Sequence, residues 1–86
     1  MNFRAEIIEI LGVCMIFTIS GGRVDSNVFS DHDDVPLSSL SIDSLTAMQF
    51  CIELENRFGW SITPEDLMSF TSLGEIEREL ANHVGR

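Results

Sequence analysis

Positive charge is scarce in this chain. Its 86 residues hold five basic side chains against 14 acidic ones, a formal charge of −9. Nucleic acid is disfavoured as a partner, because its phosphates would be repelled. Basic protein partners are favoured by long-range attraction, although acidity also serves solubility alone. Histidine is almost as rare. His32 and His83 are the two present, and neither a G-x-S-x-G elbow nor a Gly-rich phosphate cradle accompanies them. A Ser-His hydrolase is therefore excluded for want of parts. The two cysteines, Cys14 and Cys51, fall at apolar helical positions. Neither has another Cys or a His at metal-ligand spacing, so they read as buried free thiols in a reducing, cytoplasmic setting rather than a disulfide. Long apolar runs are missing too. Ile10 to Ile19 is nearly all apolar and follows Arg4, but it is too short to span a bilayer. Glu6 and Glu9 spoil a signal-like positive region, and no clear cleavage site follows, so the stretch is expected to be a retained first helix.

What is present is helical periodicity. Residues 1–86 read as a single domain, able to fold alone but too small to enclose a large active site. The spacing predicts helix one from about Asn2 to Thr18, with Ile7, Leu11, Cys14 and Thr18 on one stripe and Phe3, Ile10 and Phe17 beside it. Gly12 costs that helix about 1 kcal/mol relative to alanine. Val13 to Phe17 is apolar all round, so the surplus face is covered either by the following loop or by a partner or second copy. Ser20 to Ser41 is a long Ser/Gly/Asp-rich loop without a period, and Val28, Phe29, Val35, Leu37 and Leu40 are its expected anchors on the core. Asp31-His32-Asp33-Asp34 lacks the glycine turn and terminal glutamate of a calcium loop and is read as a solvated acidic turn, with no metal site.

The clearest pattern opens at Ser44. From Ser44 to about Phe58, Ala47, Phe50, Cys51, Leu54 and Phe58 share one helical face, which must be core. Thr46, Gln49, Glu53 and Asn56 point the other way. Leu45, Met48 and Ile52 make a separate apolar stripe along the flank, aligned with Ser44; by spacing alone this is either a docking strip or a wider core face. Asp43 and Ser41 could each cap the helix, which would leave the Ser44 hydroxyl free at the first helical position. Gly59 ends the helix as a left-handed cap. Trp60-Ser61-Ile62 connects to a short helix begun by Thr63-Pro64-Glu65-Asp66-Leu67. Ser72 caps a last helix with Glu75 completing a capping box, and Leu73, Ile76, Leu80 and Val84 form its apolar stripe. The expected fold is all-α, four helices with a long first loop and a short third helix, and no strand pattern competes.

Leu40-Ser41-Ile42-Asp43-Ser44-Leu45, followed by the register from Phe50 to Phe58, resembles the attachment motif of the acyl and peptidyl carrier proteins. The resemblance spans roughly residues 35 to 84. It implies a four-helix bundle of the acyl-carrier type. Ser44 would be the attachment residue for 4′-phosphopantetheine, transferred from coenzyme A by a magnesium-using phosphopantetheinyl transferase, with Asp43 as the motif acid at the helix N-terminus. The arm's thiol would carry acyl groups as thioesters. Leu45, Met48 and Ile52 would be the docking contact, which favours the strip over the wider core. The chain itself would not be an enzyme, and its partners would be ketosynthases, acyltransferases or acyl-activating enzymes.

Departures from that family refine the expectation. Ser41 and Ile42 stand where a glycine usually loosens the turn. Thr46 and Gln49 stand where fatty-acid-synthesis carriers commonly have acids. Asp-Ser-Leu-Thr-Ala looks more like polyketide-type carriers, or carriers of specialised pathways. The expected function is a free-standing, monomeric cytoplasmic carrier of a polyketide or related acyl pathway. An aminoacyl or peptidyl carrier of a nonribosomal-peptide-type pathway comes second, since those more often have His or Gly-Gly before the serine. A helical protein-interaction module without a prosthetic group is the reading of a different class.

Overall fold

The computed structural model describes residues 3–30 and 32–85. Among them are four α-helices: α1 (Phe3–Val13), α2 (Ser44–Phe58), α3 (Pro64–Ser69) and α4 (Leu73–Val84). A 3-10 turn, Leu37–Ser39, interrupts the long connection between α1 and α2. The described residues form no strand, only two isolated bridges, Thr18 with Leu40 and Pro36 with Ser72. This is the all-α bundle with a long first loop and a six-residue third helix. No described helix is long and apolar enough to cross a membrane.

The core is built from the faces that the periodicity assigns. Ile7, Ile10 and Leu11 of α1 meet Phe50 and Leu54 of α2, Leu67 of α3, and Leu73, Ile76 and Leu80 of α4, all almost without solvent contact. α2 packs against α3 and α1, and α1 against α4. Phe58 closes the end of its stripe half-buried, edge-on to Phe3 at 5.9 Å. Two polar ties join helices at the surface: Arg57 of α2 reaches Glu6 and Glu9 of α1 at 3.0 and 3.3 Å, and Arg4 of α1 reaches Glu77 of α4 at 3.3 Å. These pairs are partly exposed and contribute on the order of 1 kcal/mol each, so burial carries the stability.

α1 ends five residues before Thr18, and the expected start at Asn2 lies outside the described residues. The Ile16 N–H donates to the Leu11 carbonyl and the Met15 N–H to the Gly12 carbonyl, at 2.9 and 3.1 Å. Met15 takes the left-handed φ of 56° between them. This is a Schellman stop, with its usual apolar contact made by buried Leu11 and Ile16. Its left-handed position is normally filled by glycine, and a methionine there gives the sequence no stop signal. The turn sends residues 16–18 away from the helix axis, so Phe17 and Thr18 serve the loop instead of an α1 stripe.

The long loop lies down on the bundle through Ile16, Val24, Phe29, Val35, Leu37 and Leu40, all buried. Val28 is not an anchor; it is exposed beside Phe29, whose ring takes the core position under the Arg4 guanidinium 5.5 Å away. Part of helix one's surplus apolar surface is covered by this loop, with Ile8, Ile16, Phe17 and Val24 sharing one hollow. Val13, Met15 and Ile19 stay exposed. At the other end, Val84 is exposed where α4 outruns the bundle. Glu75 does not close a capping box on Ser72: its carboxylate reaches one residue further back, to the Thr71 N–H and hydroxyl at 3.3 and 3.2 Å. Both thiols are buried and unpaired. Burial, aided by the charge of Glu53, pushes Cys14 up to about 11, and burial likewise raises Cys51.

Candidate functional site

The approach to Ser44 is fixed by backbone pairing. Ile19 donates to the Ser39 carbonyl and Ser41 to the Phe17 carbonyl, each at 2.8 Å, and Leu40 is buried beneath them. The segment before the helix is therefore held against the turn that follows α1. Ile42 packs half-buried on the core, and the chain enters α2 at Asp43 with extended φ and ψ of −110° and −177°.

Asp43 is the cap. Its carboxylate accepts the Thr46 N–H at 2.8 Å, and the Thr46 hydroxyl accepts the Asp43 N–H at 2.9 Å. Two otherwise orphaned donors are thus satisfied reciprocally, with aspartate and threonine in the two roles of a capping box. The Thr46 N–H and hydroxyl hold the Asp43 carboxyl below its ordinary range. Thr46, expected only as a solvated residue, belongs to this lock. The spacing D-x-x-T was the available signal.

With capping done by its neighbours, Ser44 occupies the first position of a 15-residue helix, exposed. Its hydroxyl makes no hydrogen bond to any described residue. The first N–H groups of a helix have no partner in their own helix, and the dipole there favours an anion. An apolar cleft of about 340 Å³ opens beside Ser44, lined by Ile42, Asp43, Ala47, Pro64, Glu65 and Met68. The contributions of α3 to that cleft, Met68 above all, were not readable from the sequence, because they depend on how α3 packs on α2. Leu45, Met48 and Ile52 are 73, 52 and 46 % exposed. At these exposures the stripe is not part of the core.

Neither histidine lines the cleft. His83 stacks on Trp60 at 6.0 Å, and His32 lies in the long loop, its backbone N–H donating to the Ser30 hydroxyl at 3.4 Å. Asp34 is engaged elsewhere, accepting the Gly74 N–H at 2.8 Å at the start of α4. Asp31 lies outside the described residues, and no group of three or more potential metal ligands forms among the described ones.

Residues 22–80 match the family model of the phosphopantetheine attachment site. The chain belongs to that family. It is a carrier domain, the attachment site for covalently bound 4′-phosphopantetheine, and not itself a catalyst. A carrier domain interacts with a phosphopantetheinyl transferase and with acyl-handling enzymes. No curated protein and no solved structure matches the chain. The matched segment starts in the long loop, so α1 lies outside it. The exposed Ser44 hydroxyl, the dipole of the α2 start and the open apolar cleft suit a phosphodiester-linked, partly apolar arm at this end of α2.

Proposed function

We propose that Ser44 is the residue that carries the 4′-phosphopantetheine arm, and that the chain presents acyl groups to the enzymes of a polyketide or related specialised pathway. The observation that supports the attachment reading is the division of labour at the start of α2. Asp43 and Thr46 cap the helix between them, leaving the Ser44 hydroxyl exposed and uncommitted. A cap serine would have its oxygen directed at the backbone of its own helix. When bound, the arm supplies a terminal thiol that holds an acyl group as a thioester. The protein's part is to fix the tether point and display it. Ser44 offers the hydroxyl oxygen that would join the arm in a phosphodiester, the nucleotide part of coenzyme A being the leaving group, and the N-terminal N–H groups and dipole of α2 favour the resulting anion. The Asp43–Thr46 lock keeps the helix end rigid and ties its nearby carboxylate down. Leu45, Met48 and Ile52 form the apolar contact that successive enzymes would use.

The pathway reading rests on the neutral character of the motif. Thr46 and Gln49 put no acid on the first two turns of α2, unlike the acidic strip of fatty-acid-synthesis carriers. An aminoacyl or peptidyl cargo ranks second, because Ser41 and Ile42 precede the motif where His or Gly-Gly would be usual. Incubation of the apo protein with coenzyme A and a broad-specificity transferase, read by intact mass, tests the attachment. One phosphopantetheine is expected to be added, and none in Ser44→Ala. A gain that persists in Ser44→Ala would place the arm elsewhere.

A further inference from the structure

Two residues at the end of α1 stand in the reverse of their favoured places. Gly12 lies inside the helix, where glycine costs stability, although a Cβ there would meet nothing within 4 Å. Met15 takes the left-handed φ of 56° that such a turn ordinarily gives to glycine. Packing within the chain explains neither choice, since the space over Gly12 is open and Met15 is 70 % exposed. Local rules broken without an internal return point to a contact outside the fold.

Together they leave a knob beside a hole. Gly12, Phe17 and Val24 help to line a hollow of about 290 Å³, with Arg23 and Asp25 also in its lining. The Met15 N–H is bonded to the Gly12 carbonyl at 3.1 Å, so a flexible, exposed methionine stands within one turn of that hollow, and exposed Val13 and Ile19 extend the apolar surface. In a chain of net charge −9, the only charged side chain from Ile10 to Val24 is Arg23. Glu9, the nearest acid of α1, is drawn towards α2 by Arg57 at 3.3 Å. Arg23 and Asp25 thus give this face one charge of each sign. A basic partner would be opposed by Arg23 and an acidic one by Asp25. A second copy related by a two-fold axis suits both, because Arg23 of each copy can face Asp25 of the other while each knob meets the other's hole.

We infer that the end of α1 is a self-association surface, on which Met15 of each copy enters the hollow over Gly12 of the other. Three exposed side chains and one hollow fall short of the roughly 800 Å² per partner of a stable interface, so the dimer is weak, with a Kd on the order of 100 µM. Gly12, Val13, Met15 and Ile19 all precede residues 22–80, so this surface stands apart from the segment that matches the attachment-site family and does not depend on the role of Ser44.

Sedimentation equilibrium of the full chain from about 10 µM to about 1 mM, with a reductant to exclude disulfide-linked pairs, reads the association. The weight-average mass should climb towards twice that of one chain. Met15→Gly removes the knob and suits the left-handed turn, and Gly12→Leu fills the hole with a better helix former. Each should weaken association about tenfold or more, with a melting temperature at about 10 µM no lower than that of the unaltered chain. Arg23→Asp should weaken association about threefold, and adding Asp25→Arg should restore it. A chain that stays monomeric to about 1 mM would leave the face to a different protein and overturn the inference. A dimer that neither Met15→Gly nor Gly12→Leu weakens would overturn it too, as would a lower melting temperature in both variants, which would return the two residues to the service of the fold. A double exchange that fails to restore association would overturn the two-fold pairing.

Discussion

α2 and α4 begin in nearly the same way and end up with opposite uses. Each follows an irregular segment, each has an oxygen-bearing cap in extended conformation, and each cap accepts the N–H three residues on. At α4 the rest of the molecule closes in. The Asp34 carboxylate comes from the long loop to the Gly74 N–H, Leu73 donates to the Val35 carbonyl, and Leu37 donates to the Thr71 carbonyl. The fit is so close that a Cβ on Gly74 would lie 2.7 Å from an Asp34 oxygen. At α2 the cap is made by residues within the same turn, and among the described residues no carboxylate from another segment bonds to its N–H groups, although Glu65 of α3 lines the cleft nearby. One helix end is consumed in holding the loop; the other is finished locally and left open. Both helix starts hold an aspartate carboxylate, but at α2 it comes from the cap residue itself and leaves the neighbouring Ser44 exposed, whereas at α4 it ties down a distant loop.

The two serines give the sharpest way to break that contrast. Ser44→Ala should abolish phosphopantetheine loading while shifting the unfolding free energy by no more than about 0.5 kcal/mol, as for a surface position with no partner. Ser72→Ala should do the reverse, keeping loading and costing about 1 kcal/mol by loss of a cap. If both variants lost stability equally in urea, the two ends would not differ as described. Next in size is the buried side of the helix whose other side is open. Leu54→Ala should cost about 2–5 kcal/mol, since its side chain is wholly buried. A loss under about 1 kcal/mol would mean the core does not hold α2 as rigidly as an open site requires. Gly74→Val tests the closed end: the branched side chain would displace Asp34 and should cost about 1–2 kcal/mol, with loading at Ser44 unaffected.

Most of α2 is legible in the sequence because everything that defines it is local. The Asp43 start, the Gly59 stop and the three faces follow from residues within three or four positions of one another. Gly59 has the left-handed φ of 68° that its residue type announces. The end of α1 is not legible, for the converse reason: Met15 adopts the same backbone region without any residue-type signal, and an apolar run continues past it. The loop anchors are mostly visible as isolated apolar residues. Val28 and Phe29 cannot be told apart by hydropathy, since only tertiary packing turns one of them inward. The cleft beside Ser44 is half visible. Its α2 side comes from helical spacing, whereas Pro64, Glu65 and Met68 enter through the placement of α3. The destination of Asp34 lies forty residues away and leaves no local trace.

The smallest expected effect separates the two helix ends by acid. Burial works against the Asp34 carboxylate, but the Ser72 hydroxyl and the Gly74 and Val35 N–H groups, with Arg78 beyond them, outweigh it and hold its pKa below the ordinary 3.8. The Asp43 pKa is likewise lowered, by the Thr46 N–H and hydroxyl. For a carboxylate whose folded pKa lies below its unfolded one, the native state binds fewer protons than the unfolded state in the interval between them. Both groups therefore contribute stability that is fully present above about pH 4 and is lost as pH falls through the folded values. Because Asp34 joins distant segments and Asp43 only its own turn, protonation should release the loop from α4 before it changes the rest of α2. Amide exchange followed downward from about pH 5 should show the Gly74 and Val35 N–H groups losing protection relative to those in the middle of α2. Asp34→Asn should flatten that dependence, since it leaves no charge to titrate. If the Gly74 amide stayed as protected as the α2 interior throughout, the closure of that end would depend on the Leu73 and Leu37 backbone bonds instead of on the Asp34 charge.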